Sequence, residues 1–169
     1  PEVHKVPMIS GQGAKYIGAA LAAYKKGDRK HPTMRAIAVS LTDQDMADLS
    51  AFYEQHGGKE AASAPPDGAP AASPEVAALL TKGACASCHG PNYSKPIDGS
   101  YPKIAGQHAD YLYVALKSYK TETNPHVGRN NAIMGGQVKQ FSLAELKAMA
   151  AYLSSLPGEM RTVKEPYFR

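Results

Sequence analysis

The stretch Cys85-Ala86-Ser87-Cys88-His89 holds the only two cysteines of the 169-residue chain, and a histidine follows the second one directly. Covalent attachment of haem needs two thiols spaced to meet the two vinyl groups, and a histidine that reaches the iron from the same side. These five residues meet all three needs. We therefore expect Cys85 and Cys88 to hold one haem c through thioether bonds, and His89 to bind its iron.

Two other kinds of site use a CxxC pair. A thioredoxin-like redox pair follows a strand within a βαβ unit, and the sequence around Cys85 offers no such setting. A structural zinc ion needs four ligands, and neither a second cysteine pair nor an HxxxH motif completes the set. Haem attachment is the remaining interpretation of this motif. It requires a suitable fold and a second iron ligand elsewhere in the chain.

Around the motif, the hydrophobic pattern and the capping residues are typical of helices. Ser73 and Pro74 supply an N-cap and a favourable first helical residue, and residues 111–119 form an amphipathic stripe. Residues 142–145 (SLAE) form a capping box that opens a further helix, and residues 42–45 (TDQD) play a similar part earlier in the chain. No convincing period-2 strand is present. The predicted fold class is all-α.

A haem iron held by one histidine needs a sixth ligand, and Met134 is our candidate. A thioether ligand favours reduced iron, raises the reduction potential and fills the position that oxygen or a substrate would need. Met134 lies in the Asn- and Gly-rich stretch 130–136, which we interpret as a loop, 45 residues beyond His89. The other ring nitrogen of His89 needs a fixed acceptor, for which we select the carbonyl of Pro102.

The front and back parts of the chain repeat one pattern. A shift of 95 positions superimposes nine identical residues, and a shift of 100 then aligns Met34 with Met134 after a five-residue insertion in the back copy. The front members of the nine pairs are Pro7, Ile9, Gly11, Gln12, Tyr16, Ala20, Leu21, Tyr24 and Lys25. An Ala- and Pro-rich segment, 58–74, separates the copies and is predicted to be a linker.

The front copy, residues 1–57, keeps Met34 but contains no CxxCH. Projecting the 95-residue shift back from Cys85 places the missing motif upstream of Pro1. A half domain of this size without its haem has too little core to stand alone. We therefore expect an upstream segment that supplies a second CxxCH, with Met34 as the distal ligand of a second haem. The alternative is a front copy that has lost its haem.

These motifs resemble those of class I c-type cytochromes, specifically the dihaem cytochrome c4 group with its c553-like relatives. The resemblance rests on CASCHG at 85–90, YPKIAGQHADYL at 101–112, the Met134 stretch, the closing helix from Leu143, and the front segments 6–17, 23–34 and 41–53. It implies two tandem all-α cytochrome c domains, the first incomplete at its N-terminus, each wrapped around one His/Met-ligated haem. It also implies a periplasmic protein that passes electrons to a terminal oxidase or a similar acceptor. The expected segments are a partial first domain (1–57), the linker (58–74), a complete domain with the CxxCH (75–158) and a C-terminal tail (159–169).

Charge and hydropathy narrow the choice of partners. The formal net charge is +4, with 19 Lys and Arg against 15 Asp and Glu, and the basic residues are scattered. The chain shows no nucleic-acid motif, and it has no apolar run of about 18 residues that would span a membrane. We expect redox proteins as partners, such as an oxidase, a reductase or a dehydrogenase, and attachment to a membrane only through such a partner.

Three functions compete. The first is a soluble electron carrier with no catalysis of its own. The alternative is a cytochrome subunit bound permanently to a dehydrogenase or oxidase, which would show a large apolar surface patch. The third is an open haem site that acts as a peroxidase or a small-ligand sensor, and it requires that Met134 does not bind the iron.

Overall fold

The computed structural model describes residues 6–56, 69–121 and 123–162. These ranges contain eight helices and two short strands, and the all-α fold class is confirmed. The helices are α1 (Ala14–Lys26), α2 (Pro32–Ser40), α3 (Asp43–His56), α4 (Pro74–Lys82), α5 (Ala86–His89), α6 (Ala109–Ser118), α7 (Ala132–Lys139) and α8 (Leu143–Ser155). The strands β1 (Arg29–Lys30) and β2 (Gly128–Arg129) pair antiparallel. No helix within the described ranges is both long and apolar enough to cross a membrane.

Three helices begin at the capping residues that the sequence indicates. Ser73 Oγ accepts a backbone N–H at 3.3 Å, and Pro74 then opens α4. Residues 142–145 form a complete capping box at the start of α8. Residues 42–45 exchange the same two hydrogen bonds ahead of α3, at 2.8 and 3.1 Å. These local signals therefore fix where the helices start, independently of how the helices later pack.

The helices pack as two repeated groups. In the back half, α4 and α6 pack against α8, and α1 packs against α2 and α3 in the front half. The buried back core comprises Leu80, Tyr93, Ala105, Leu112, Val138, Phe141, Leu146, Met149, Ala150, Leu153 and Leu156. The buried front core comprises only Ile17, Leu21 and Met46. The counterparts of α6, α7 and α8 are α1, α2 and α3, whereas the described front residues contain no counterpart of α4 and α5.

Two features differ from the sequence prediction. The stretch around Met134 is not a loop, because Met134 lies in the first turn of α7, just as Met34 lies in the first turn of α2. Asn131 Oδ1 accepts the Met134 N–H at 2.9 Å, and this cap starts the helix despite the two glycines that follow Met134. The strands were not predicted, since two residues are too short to show a period-2 pattern.

The two halves meet around a pseudo-twofold axis. Gln12 Nε2 donates to the Lys103 carbonyl at 3.0 Å, and Gln12 Oε1 accepts the Lys103 N–H at 3.0 Å. Gln107, the repeat counterpart of Gln12, makes the same pair of bonds with Met8, at 2.8 and 2.9 Å. The Met160 sulfur lies between them, 3.2 Å from Gln12 Nε2 and 3.8 Å from Gln107 Nε2. We call this arrangement of Gln12, Gln107 and the backbones of Met8 and Lys103 the glutamine clasp.

Candidate haem-binding site

The CxxCH motif lies in a tight turn after α4. Cys85 caps the one-turn helix α5, and Gly90 ends it with φ +81°. A Cβ at Gly90 would lie 1.9 Å from the Lys95 carbonyl oxygen, so both the backbone angle and the available space require glycine. The chain beyond Gly90 therefore turns back closely against the motif, which fixes the position of His89.

His89 has the surroundings of a metal-binding histidine. Its side chain is 6% exposed, and its Nδ1 lies 2.8 Å from the Pro102 carbonyl oxygen. Because a carbonyl can only accept, Nδ1 carries the proton and Nε2 keeps its lone pair. Burial lowers the pKa of His89, although the hydrogen bond to Pro102 works in the opposite direction. His89 is therefore neutral at pH 7, with Nε2 free to bind a metal.

Both cysteine side chains are partly buried, and they form no disulfide with each other. Burial raises the pKa of Cys85, so its thiol stays protonated at neutral pH. Within the described ranges, no group of three or more His, Cys, Asp and Glu side chains could hold a metal ion. The pair thus has the chemistry of thiols available for thioether bonds.

Met134 shares a core with the cysteine motif. Its side chain and that of Cys85 both pack, partly buried, against the back core. Beside it, a Cβ at Gly136 would meet no atom within 4 Å, and one at Gly135 would meet only the Tyr119 carbonyl, at 3.8 Å. A neutral imidazole nitrogen, a thioether sulfur and two thiols form the donor set of a His/Met-ligated haem c. The residues present fit this group.

Met34 occupies the same place in the front half. Its N–H donates to His31 Nδ1 at 3.3 Å, as the Met134 N–H donates to Asn131. Its side chain packs, partly buried, against the front core, which is separate from the core that contacts Cys85. The structure therefore brings Met134 and Cys85 onto one core and places Met34 in the other half.

Sequence reasoning missed the polar residues between the halves. Gln12 and Gln107 are 4% and 3% exposed, and both belong to the nine repeated identities. Two repeated tyrosine pairs lie near Arg29 and Arg129, which are themselves related by the 100-residue shift. The sequence does contain one signal of such an interface. It is a polar residue that recurs at the same place in both copies and has no role in iron binding.

Comparisons with known proteins found similar sequences. The family model described as Cytochrome c matches residues 74–157. Cytochrome c4 of Thiocapsa roseopersicina is 30% identical over 162 residues, which cover 89% of this chain and 78% of that protein. A thiosulfate dehydrogenase electron acceptor of Stutzerimonas stutzeri is 29% identical over 163 residues, covering 92% of this chain and 73% of the relative.

Solved structures show the same similarity. The structure of cytochrome c4 from Acidithiobacillus ferrooxidans superimposes with a TM-score of 0.70 at 28% identity, covering 91% of each chain. The thiosulfate dehydrogenase TsdBA from Marichromatium purpuratum gives a TM-score of 0.69 at 27% identity. In that case the match covers 93% of this chain but only 34% of the other, so the shared fold is one part of a longer chain.

Proposed function

Because this chain belongs to the cytochrome c4 family and functions in electron transfer through haem c, we propose that it is a periplasmic carrier of single electrons whose iron ligands are His89 and Met134. Haem, when bound, supplies the iron that takes up and releases one electron. Cys85 and Cys88 would hold it by thioether bonds. A terminal oxidase or a similar acceptor is the proposed destination of the electrons.

The observation that carries the proposal is the hydrogen bond between His89 Nδ1 and the Pro102 carbonyl, at 2.8 Å. It orients the imidazole and leaves Nε2 as the basic nitrogen, directly after the two cysteines. Met134 would supply the second protein ligand, and an iron held by both residues would leave no place for a substrate. This ligand set favours electron transfer over peroxidase chemistry.

The test exchanges methionine for leucine, which nearly conserves volume, in the haem-loaded protein. Met134→Leu should lower the reduction potential and allow carbon monoxide to bind the reduced iron. Met149→Leu, a buried methionine of the same core, is the matched control and should do neither. A Met134→Leu protein that keeps the wild-type potential and excludes carbon monoxide would show that Met134 is not the ligand.

We also propose that Met34 is the distal ligand of a second haem. Leu49 and Phe52 on α3 are 36% and 53% exposed, whereas Met149, the counterpart of Leu49, is 3% exposed. In the back half, α4 packs against α8 and leads into the CxxCH. A helix of the same kind, followed by a haem, would bury the exposed face of α3.

The number of haems tests this second proposal. The 169 residues contain one CxxCH, so the second motif would come from outside them. A pyridine haemochrome assay combined with an intact mass should give two haems per polypeptide in the protein purified from its natural source. Met34→Leu should then open one of the two irons to carbon monoxide. A single haem per polypeptide would contradict the proposal.

A permanently bound subunit is the second candidate function. Two relatives point to it: one is named as the electron acceptor of a dehydrogenase, and a structural match lies within a longer dehydrogenase chain. Affinity purification of this protein at low and high salt distinguishes the candidates. A carrier should elute alone at both salt concentrations, whereas a subunit should retain a stoichiometric partner. Release by osmotic shock tests the proposed periplasmic location.

A further inference from the structure

A lysine near the end of α1 and its repeat counterpart after α6 make the same contact in the two halves. Lys25 lies in the last turn of α1, and Lys120 lies two residues beyond α6. Lys25 Nζ donates to the Leu41 carbonyl at 2.6 Å. Lys120 Nζ donates to the Phe141 carbonyl and, at 3.2 Å, to the Lys139 carbonyl. Leu41 and Phe141 are themselves related by the 100-residue shift. The repeat therefore retains the contact as well as the residue type.

The accepting carbonyls lie at the ends of the two methionine-bearing helices. Lys139 is the last residue of α7, and Phe141 lies two residues beyond it. Leu41 follows α2 directly. The last carbonyls of a helix have no partner within the helix, and a cation placed there also opposes the negative end of the helix dipole. Each lysine thus caps the C-terminus of the helix that carries Met34 or Met134.

The helix α7 depends on its ends more than α2 does. Residues 135–136 of α7 are both glycine, which is unfavourable inside a helix, whereas residues 35–36 of α2 are arginine and alanine. In the front half α1 packs along α2, but no described helix packs along α7 in the same way. With only eight residues, α7 is also too short to be stable by itself. It therefore relies on the Asn131 cap at its start and on Lys120 at its end.

The contact of Lys120 extends to the residues before the CxxCH motif. Phe141, whose carbonyl Lys120 binds, is 2% exposed. A Cβ at Gly83 would lie 3.2 Å from the Phe141 ring and 3.1 Å from Cys85 Sγ, so both side chains lie close to Gly83. Met134 and Cys85 pack against the core that contains Phe141. Lys120 thus fixes the end of α7 beside the turn that would attach the haem.

We propose that Lys120 is a positioning residue for electron transfer, which keeps Met134 on the haem iron by capping the end of α7. This inference rests on the proposed function, because it takes Met134 as an iron ligand. Lys120 acts through the helix and is not itself a ligand. Without the cap, the two turns of α7 open more often from the C-terminal end, and Met134 leaves the iron more often. Carbon monoxide can bind the reduced iron only while Met134 is away.

The test measures the rate of carbon monoxide binding to the reduced, haem-loaded protein. Lys120→Leu keeps an apolar side chain and removes the donors, and it should raise this rate about tenfold, because a hydrogen bond from a charged group is lost. Lys120→Arg, which keeps a charged donor, should bind carbon monoxide nearly as slowly as the wild type. Lys117→Leu removes one exposed charge from α6 and is the matched control, with no expected change.

A purely structural role predicts different results. If Lys120→Leu lowers the thermal unfolding midpoint but binds carbon monoxide at the wild-type rate, Lys120 only stabilises the fold and the inference is wrong. Equal rate increases in Lys120→Leu and Lys117→Leu would overturn it too, since they would reflect the loss of charge alone. Should Lys120→Leu fail to mature, Lys120→Gln carries the same test with a polar, uncharged side chain. The proposed function fails separately, if Met134→Leu excludes carbon monoxide.

Discussion

Replacing Gln107 by alanine should weaken the contact between the two halves, and the structure allows the effect to be worked out. Gln107 Nε2 donates to the Met8 carbonyl at 2.8 Å, and Oε1 accepts the N–H groups of Met8 at 2.9 Å and His108 at 3.0 Å. The two bonds to Met8 cross between the halves, and the bond to His108 lies within one half; together the three contribute about 1.5–4.5 kcal/mol, at roughly 0.5–1.5 kcal/mol each. Because Gln107 is 3% exposed, water does not readily replace the lost partner.

The assay is reversible thermal unfolding of the haem-loaded protein. For a chain of this size, about 1 kcal/mol corresponds to roughly 2–4 °C, so Gln107→Ala should lower the midpoint by about 3–18 °C. Gln12→Ala should have a similar effect, because the glutamine clasp is symmetric. Gln137→Ala, an exposed glutamine on α7, is the matched control and should change stability by no more than about 0.5 kcal/mol. If Gln107→Ala and Gln137→Ala unfold at the same temperature, the clasp does not stabilise the interface and our reasoning is refuted.

Three further predictions concern single sites. Gly90→Ala should prevent correct folding of the motif, because its Cβ would lie 1.9 Å from a carbonyl oxygen. Gly136→Ala should be tolerated, since its Cβ would meet no atom within 4 Å. The haem content per chain, measured for both variants, should be low only in Gly90→Ala. Ser142→Ala removes the capping box of α8 and should lower the free energy of unfolding in urea by about 1 kcal/mol. An unchanged free energy of unfolding would show that the box is dispensable. Hydrogen bonds from Ser100, followed by the contact with Lys15, hold the pKa of Asp98 well below its usual range. The folded form then binds fewer protons than the unfolded form, so this stability is present above the ordinary pKa of about 3.9 and is lost as the pH falls below it. Asp98→Asn should therefore show a smaller loss of thermal stability between pH 6 and pH 3 than the parent, and an identical loss would contradict the assignment.

Local chemistry explains which parts of the fold the sequence could predict. Ser73 and residues 142–145 act through hydrogen bonds within four residues of each other, so their helices could be located without knowing the packing. Met134 shows the limit of this reasoning. Its neighbouring glycines favoured a loop, but the Asn131 cap and the packing of α7 on the back core determine the observed helix.

The interface could not be predicted from local patterns. Gln12 and Gln107 bind backbone groups that are 91 and 99 residues away, and a backbone group carries no sequence signature. The pairing of Arg29 with Arg129 depends on two strands of two residues each, which form only because the halves come together. Tertiary contact therefore decides these features, and the repeat was the only indication of them in the sequence.

The glutamine clasp has a consequence for how a two-domain chain of this kind arises. Gln12 binds the backbone of residue 103, and its counterpart Gln107 binds the backbone of residue 8, which is the counterpart of residue 103. Each half therefore carries both sides of the contact, as in the isologous interface of a symmetric homodimer. A single-domain ancestor with this surface would already pair with a second copy of itself. Gene duplication and fusion then convert a concentration-dependent dimer into one polypeptide, in which the effective concentration of the partner reaches the millimolar range without any new contact.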